Sequence, residues 1–272
     1  SEGGMEEVVR DMSRDDKFLP ARLCLNLISK AKDKLQSPED FARQAEAGED
    51  YRMERIAKAY AEYQRRLRAA NAVDFDDIIL LTVQLLQEHE DVREYYQQKF
   101  RYVLIDEYQD TNHLQFLLAQ LLSGGYENIC VVGDDDQSIY RFRGATIENI
   151  LGFEKQYKGA RLIRLEQNYR STKCILAAAN AVIANNQGRK GKNLWTENHD
   201  GEKIRLYEAY NESDEANFVT NGILSRSRGQ NLKDYAVLYR TNAQANALEY
   251  AFKRNGIPYR VVGGMRFFDR AE

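Results

Sequence analysis

Over the first seventy residues, apolar side chains recur every three to four positions, the spacing that lines one face of an α-helix. The run "LCLNLISKAKDKLQ" is amphipathic. The "SPED" that closes it supplies the start of a further helix: Ser37 as N-cap, Pro38 at the first helical position, and two acids in the first turn, where the helix dipole favours them. Met53, Ile56, Tyr60 and Leu67 then recur at helical spacing and leave Arg52, Arg55, Lys58, Arg65 and Arg66 largely on the other side. The pattern predicts a helical subdomain with a basic face over residues 1–73. "VDFDDIILLTVQLLQ" begins the next helix, with Asp74 as its cap.

From Arg101 the pattern changes to short apolar runs separated by helical stretches such as "STKCILAAANAVIANN". The runs at 102–105, 128–132, 161–165, 204–209, 235–239 and 259–262 read as strands. Strand, helix and strand at this spacing predict an α/β fold, a parallel sheet with crossover helices that binds ligands beyond the carboxyl ends of its strands. The chain has no internal repeat and no low-complexity linker, and the shift near "LEQNYRS" is the most plausible domain boundary.

Three strand ends carry chemistry. In "VLIDEYQDTN" a buried strand runs into Asp106 and Glu107. A carboxylate there can hold Mg²⁺ through its water shell, and a second beside it can orient or deprotonate an attacking water. The alternative is that both acids cap the helix at "TNHLQFLLAQLL", a role that Asp110 fills better. "VVGDDDQSIYRFRGA" places Gln137 where a side-chain amide can sense a terminal phosphate. "LEQNYRS" offers Tyr169 to stack on a base and Arg170 to neutralise phosphoryl charge.

Composition narrows the picture. With 272 residues, 43% hydrophobic and 30% charged, the chain is long enough for one large core or two ordinary ones. No run approaches eighteen apolar residues and the first residues are acidic, so neither a membrane span nor secretion is expected, and the cytoplasm is the default. The three cysteines (Cys24, Cys130, Cys174) are far apart in apolar surroundings, as suits reduced, packed thiols, and the three histidines lack ligand spacing for zinc. The net charge of -3 argues weakly against a polyanion partner, but its distribution reverses that. Asp106 to Asp136 holds seven acids and no base, whereas Gln137 to Lys192 holds eleven bases and three acids. Such blocks suit a divalent metal and a polyanion, or else are solvated faces that neutralise each other.

"IDEYQDTN", "VGDDDQSIYRFRGA", "LEQNYRST" and "LYRTNAQ" resemble, in order, successive motifs of superfamily 1 DNA helicases of the UvrD, Rep and PcrA group. The resemblance spans the chain and implies RecA-like, P-loop-type motor domains. Residues 1–73 would be the helical 1B-like insertion, 74–167 the later part of motor domain 1A and 168–272 the early part of 2A. It implies ATP and Mg²⁺ as cofactors, with Asp106 and Glu107 serving the metal and the hydrolytic water, Gln137 on the γ-phosphate, Tyr169 on adenine and Arg170 as an arginine finger. On the DNA side, Phe75, Tyr140 and Phe142 match aromatics that contact unstacked bases. Family members often carry Trp where this chain has Phe142, and Arg143 fits a structural or coupling role. The implied activity is ATP-driven 3′ to 5′ movement on single-stranded DNA and at single/double-strand junctions, in repair or replication, with no membrane partner.

The phosphate-cradling G-x-x-x-x-G-K-[ST] loop is absent. "GRKGKN" at 188–193 has the wrong spacing and reads as a solvated basic loop. Judged against the family, the chain is then expected to be an excised fragment, inactive as an ATPase on its own, whose half-sheets expose apolar edges and favour self-association. Two other readings stand beside it: an ATPase-inactive module that binds single-stranded DNA or a protein, and part of a helicase–nuclease subunit.

Overall fold

The computed structural model describes residues 2–12, 19–140, 144–187, 189–227 and 231–262. It divides into two compact units, 1–199 and 200–272. Both boundaries drawn from the sequence, at 73/74 and 167/168, fall inside the first unit.

The first unit begins with four helices, α1 (Glu2–Met12), α2 (Ala21–Asp33), α3 (Pro38–Ala47) and α4 (Tyr51–Ala69). Their starts follow the sequence chemistry. Ser37 Oγ accepts from Asp40 N while the Asp40 carboxylate accepts from Ser37 N, closing a capping box ahead of Pro38. Asp50 caps α4. The helices close over Met5, Val8, Cys24, Ile28, Phe41, Ile56, Tyr60 and Tyr63, all buried. The predicted basic face of α4 is partly neutralised at home: Arg65 and Arg66 pair with Glu62, and Arg66 also with Asp11.

Helix α5 (Phe75–Glu88) starts at Asp74, as its sequence predicts, in a capping box with Asp77. The Lys32 ammonium of α2 reaches Asp74 at 2.7 Å and Asp77 at 2.8 Å, fastening the helical subdomain to this helix start. Helix α6 (Glu90–Lys99) leads into strand β1 (Val103–Ile105), then α7 (His113–Ser123) and strand β2 (Ile129–Val131). The strands are parallel, with Leu104 opposite Cys130, so β1–α7–β2 is a crossover unit of the predicted α/β kind. Asn112, rather than Asp110, caps α7. Leu114, Leu117 and Leu121 of α7 pack on Leu80 and Val83 of α5. The short helices α8 (Glu148–Leu151) and α9 (Phe153–Gln156) precede α10 (Lys173–Ile183).

Of the six predicted strands only these two pair among the described residues; the runs at 161–165, 204–209, 235–239 and 259–262 form no strand there. A strand is held by backbone groups on a neighbour, and an apolar run does not supply one. With a sheet two strands wide, β1 is also not the buried strand expected: Leu104 is 75% exposed, as are Leu165 (77%) and Leu206 (98%) in the unpaired runs. Cys24 is buried and Cys174 half-buried, but Cys130 is exposed on β2 instead of packed.

In the second unit, α11 (Glu212–Ser227) and α12 (Ala245–Arg254) enclose a small core of Ile223, Phe252 and Ile257, with Val219, Leu232 and Tyr235 against it. No described helix of either unit is long and apolar enough to cross a membrane.

Beside Lys32, Asp33 Oδ1 accepts a 2.8 Å hydrogen bond from Asn112 Nδ2, tying α2 to the start of α7. Burial, with Asp76 adding to it, pushes the Asp33 carboxyl from 3.8 up to about 6. A raised folded-state value makes this contribution full at acid pH and loses it as pH climbs through that value. Asp33→Asn keeps an acceptor without the charge, so it should gain stability relative to the unsubstituted chain between about pH 4.5 and pH 7.5. Thermal melts at the two pH values check this, and an equal difference at both would rule it out.

Candidate functional site

Strand β1 ends at Ile105, and the next two residues turn sharply out of the sheet. Asp106 and Glu107 are both exposed. Glu107 has φ 51, left-handed and costly for a residue with a Cβ, and its N–H donates to Asp106 Oδ1 at 2.9 Å. The chain then dives: Tyr108 and Gln109 are each 1% exposed. Tyr108 N donates to Val132 O at 3.0 Å, its ring meets Phe153 edge-on, and burial pushes its hydroxyl up to about 12.

Strand β2 ends alongside. After Val132 and Gly133, Asp134 caps a tight turn over 135–137, accepting from Asp136 N at 3.0 Å. Gln137 Nε2 donates to Asp134 Oδ2 at 2.7 Å. The two strand ends meet through one side chain: Gln109 Nε2 donates to Glu107 Oε2 at 2.8 Å, and Gln109 Oε1 accepts from Asp134 N at 2.9 Å. Two of the predicted site residues, Glu107 and Gln137, are thereby gathered into one network.

The segment 189–192 is not a solvated loop. Arg189 forks onto both oxygens of Asp136 at 2.7 Å, Lys190 N donates to Asp135 at 2.8 Å, and Lys192 pairs with Asp134. The reason is charge: three successive carboxylates approach one another within 4.8 Å, and like charges so close need cations. Burial pushes the Asp134 carboxyl up, but hydrogen bonds from Lys192 and Gln137, with the Lys192 charge, outweigh it and hold the group below its ordinary range. This triad is spaced for a metal but already carries Arg189 and Lys192. Asp106 and Glu107 offer the hard oxygen ligands that Mg²⁺ takes, and no described cation pairs with either.

Tyr169 (79% exposed) and Arg170 sit in a turn before α10, whose backbone N–H groups at Arg170 and Ser171 donate to Asn168 Oδ1. Asn168 N donates to Trp195 O at 2.7 Å and Asn198 Nδ2 to Ser171 O at 3.0 Å, so "WTEN" holds this turn. Among the described residues no hydrogen bond or ion pair joins Tyr169 or Arg170 to the network at β1 and β2. Phe75, the first residue of α5, is 89% exposed on a rigidly capped helix start, and Tyr140 is 37% exposed. Phe142, with Arg141 and Arg143, lies outside the described residues.

Residues 2–158 match the model of the UvrD/REP helicase N-terminal domain, and residues 163–272 that of the UvrD-like helicase C-terminal domain. Similar proteins include the ATP-dependent DNA helicase PcrA of Staphylococcus aureus (strain NCTC 8325 / PS 47), 49% identical over 269 residues. The ATP-dependent DNA helicase PcrA of Staphylococcus epidermidis (strain ATCC 12228 / FDA PCI 1200) is 47% identical over the same length. In each case 98% of this chain is covered but only 36% of the relative, so the chain spans about a third of the length of these relatives.

Proposed function

The chain belongs to the UvrD/REP helicase family, and on that premise we propose that it is part of a cytoplasmic, ATP-dependent DNA helicase of superfamily 1. The helicase moves 3′ to 5′ on single-stranded DNA and at single/double-strand junctions, in repair or replication. What supports this best is the placement of Glu107 and Gln137, from two adjacent parallel strand ends, on one hydrogen-bonded network. In such sheets that edge is where ligands bind.

The residues divide the work as follows. Glu107 accepts the proton of the attacking water, and Gln137 places its amide against the terminal phosphate. Asp106 holds Mg²⁺, which when bound neutralises phosphate charge. Tyr169 stacks on the adenine, and the exposed Arg170 neutralises the transferred phosphoryl group. Phe75, Tyr140 and Phe142 stack on unpaired bases. Residues 1–73, 74–167 and 168–272 correspond to the helical insertion, the later part of the first motor domain and the early part of the second. The exposed Leu104, Leu165 and Leu206 support self-association of the isolated chain.

DNA-stimulated phosphate release by the whole protein tests the reading, and its absence would leave a module that only binds. For the DNA surface, Phe75→Ala, Tyr140→Ala and Phe142→Ala should each cost roughly 1–3 kcal/mol of single-strand affinity, with little dependence on base sequence. Affinity should also fall with salt. Unchanged fluorescence anisotropy titrations in all three variants would remove the stacking assignment.

A further inference from the structure

Gln109 is 1% exposed, yet it sits two residues after Glu107 and three after Asp106 and spends its amide on bridging the two strand ends. Taking as given the functional reading above, we infer that Gln109 is a positioning residue for hydrolysis: it orients the Glu107 carboxylate and locks it to the Asp134 turn that holds Gln137.

The chemistry of the bridge requires an amide. One end must donate, because Glu107 Oε2 is an acceptor 2.8 Å away. The other must accept, because it faces Asp134 N–H at 2.9 Å. Glutamate lacks the donor, lysine lacks the acceptor, and an apolar chain would strand a buried N–H. With Oε2 committed to Gln109, Glu107 keeps Oε1 to receive a proton, and the bond restrains a carboxylate whose backbone stands at φ 51. On the far side the same amide fixes Asp134 N, and the Asp134 carboxylate holds the Gln137 amide at 2.7 Å. Beside the backbone bonds from Tyr108 N to Val132 O and from Val132 N to Ile105 O, this buried amide gives the two strand ends a side-chain link that runs directly to the Glu107 carboxylate.

The surroundings are cut to fit. A Cβ on Gly133 would stand 2.6 Å from Gln109 Oε1 and 2.8 Å from Ile150 Cδ1, so any side chain there displaces the amide. Among the described residues no hydrogen bond joins Gln109 to Asp106, Gln137, Tyr169, Phe75 or Tyr140, and its side chain bonds only Glu107 and the Asp134 N–H.

The test uses the whole helicase that carries this chain, read by steady-state DNA-stimulated ATP hydrolysis. Gln109→Met removes donor and acceptor at similar volume, and Gln109→Glu removes the donor and sets a second carboxylate against Glu107. Each should lower kcat about 10- to 100-fold, the loss usual when an outer-shell hydrogen-bond partner at a metal site is removed, with KM for ATP changed less than about threefold. In a Glu107→Gln background the same substitutions should cost less than about threefold more, because the carboxylate they orient is gone. A merely structural defect would instead multiply the loss, and that result, or an unchanged kcat in both variants, would overturn the assignment. Failure of both variants to fold would make Gln109 a core residue and overturn it too. Absence of hydrolysis in the unsubstituted protein would overturn the functional reading itself; normal turnover with indifferent variants would overturn this inference alone.

Discussion

Replacing Glu107 with glutamine in the whole helicase is expected to cut DNA-stimulated turnover by at least about a hundredfold while leaving ATP affinity nearly intact. Glutamine keeps the size of the side chain and can still take the Gln109 hydrogen bond at its carbonyl oxygen, so the fold of the strand end should persist. What it loses is the basic oxygen that accepts a proton from water. A general base contributes about 10² to 10⁴ in rate, and the lower figure sets the minimum loss here. Asp106→Asn should behave differently, raising the Mg²⁺ concentration needed for half-maximal rate, because its proposed task is to hold the ion. Stopped-flow nucleotide binding beside steady-state phosphate release separates the two effects. Near-normal turnover in Glu107→Gln would mean that another group accepts the proton, and the strand-end site would have to be redrawn.

Much of the first unit's fold was legible because its signals are local. Ser37, Pro38 and Asp74 announce helix starts by side-chain chemistry that acts within one turn. The runs at Val103 and Ile129 become strands because each is the other's partner across α7. Where the outcome depends on a distant partner, the pattern is silent. An apolar run at 204–209 looks like a strand in sequence and finds no neighbour among the described residues. Arg189 and Lys192 look like a solvated basic segment until the acidic turn more than fifty residues earlier is folded against them. Gln109 gave only one faint signal, an amide in a segment otherwise read as catalytic acids, and its burial follows from the path of two strands rather than from its neighbours.

Lys32 is the extreme case, and removing it should strongly destabilise the first unit. In an amphipathic helix a lysine is read onto the wet face, but this one is fully buried, 2.7 Å from Asp74 and 2.8 Å from Asp77 and above the ring of Tyr63. The two acids also cap each other's backbone at the start of α5, and Gln64 donates to both oxygens of Asp77. Burial pushes the Asp74 carboxyl up, but the Lys32 hydrogen bond, the Asp77 N–H and the Lys32 charge outweigh it and hold the group below its ordinary range. A depressed folded-state value means that this carboxylate stabilises the fold above its unfolded pKa and loses that contribution as pH falls through the folded value. Lys32→Met keeps the length of the stem and removes the cation, leaving buried carboxylates uncompensated, at a cost of about 3–5 kcal/mol near neutral pH. Breaking a solvent-screened pair such as Arg65–Glu62 should cost far less. With the ammonium gone, burial decides the matter for Asp74 and the pH dependence reverses, so the variant should recover part of its loss between about pH 7 and pH 4.5. The consequence reaches the proposed DNA surface because Phe75 stands on the helix start that these groups hold. In the whole protein Lys32→Met should therefore also weaken single-strand binding at temperatures where the fold is intact. Urea midpoints at the two pH values decide the stability claim: a loss below about 1 kcal/mol, or one that grows as pH falls, would show that the buried ammonium is not what fastens α2 to α5.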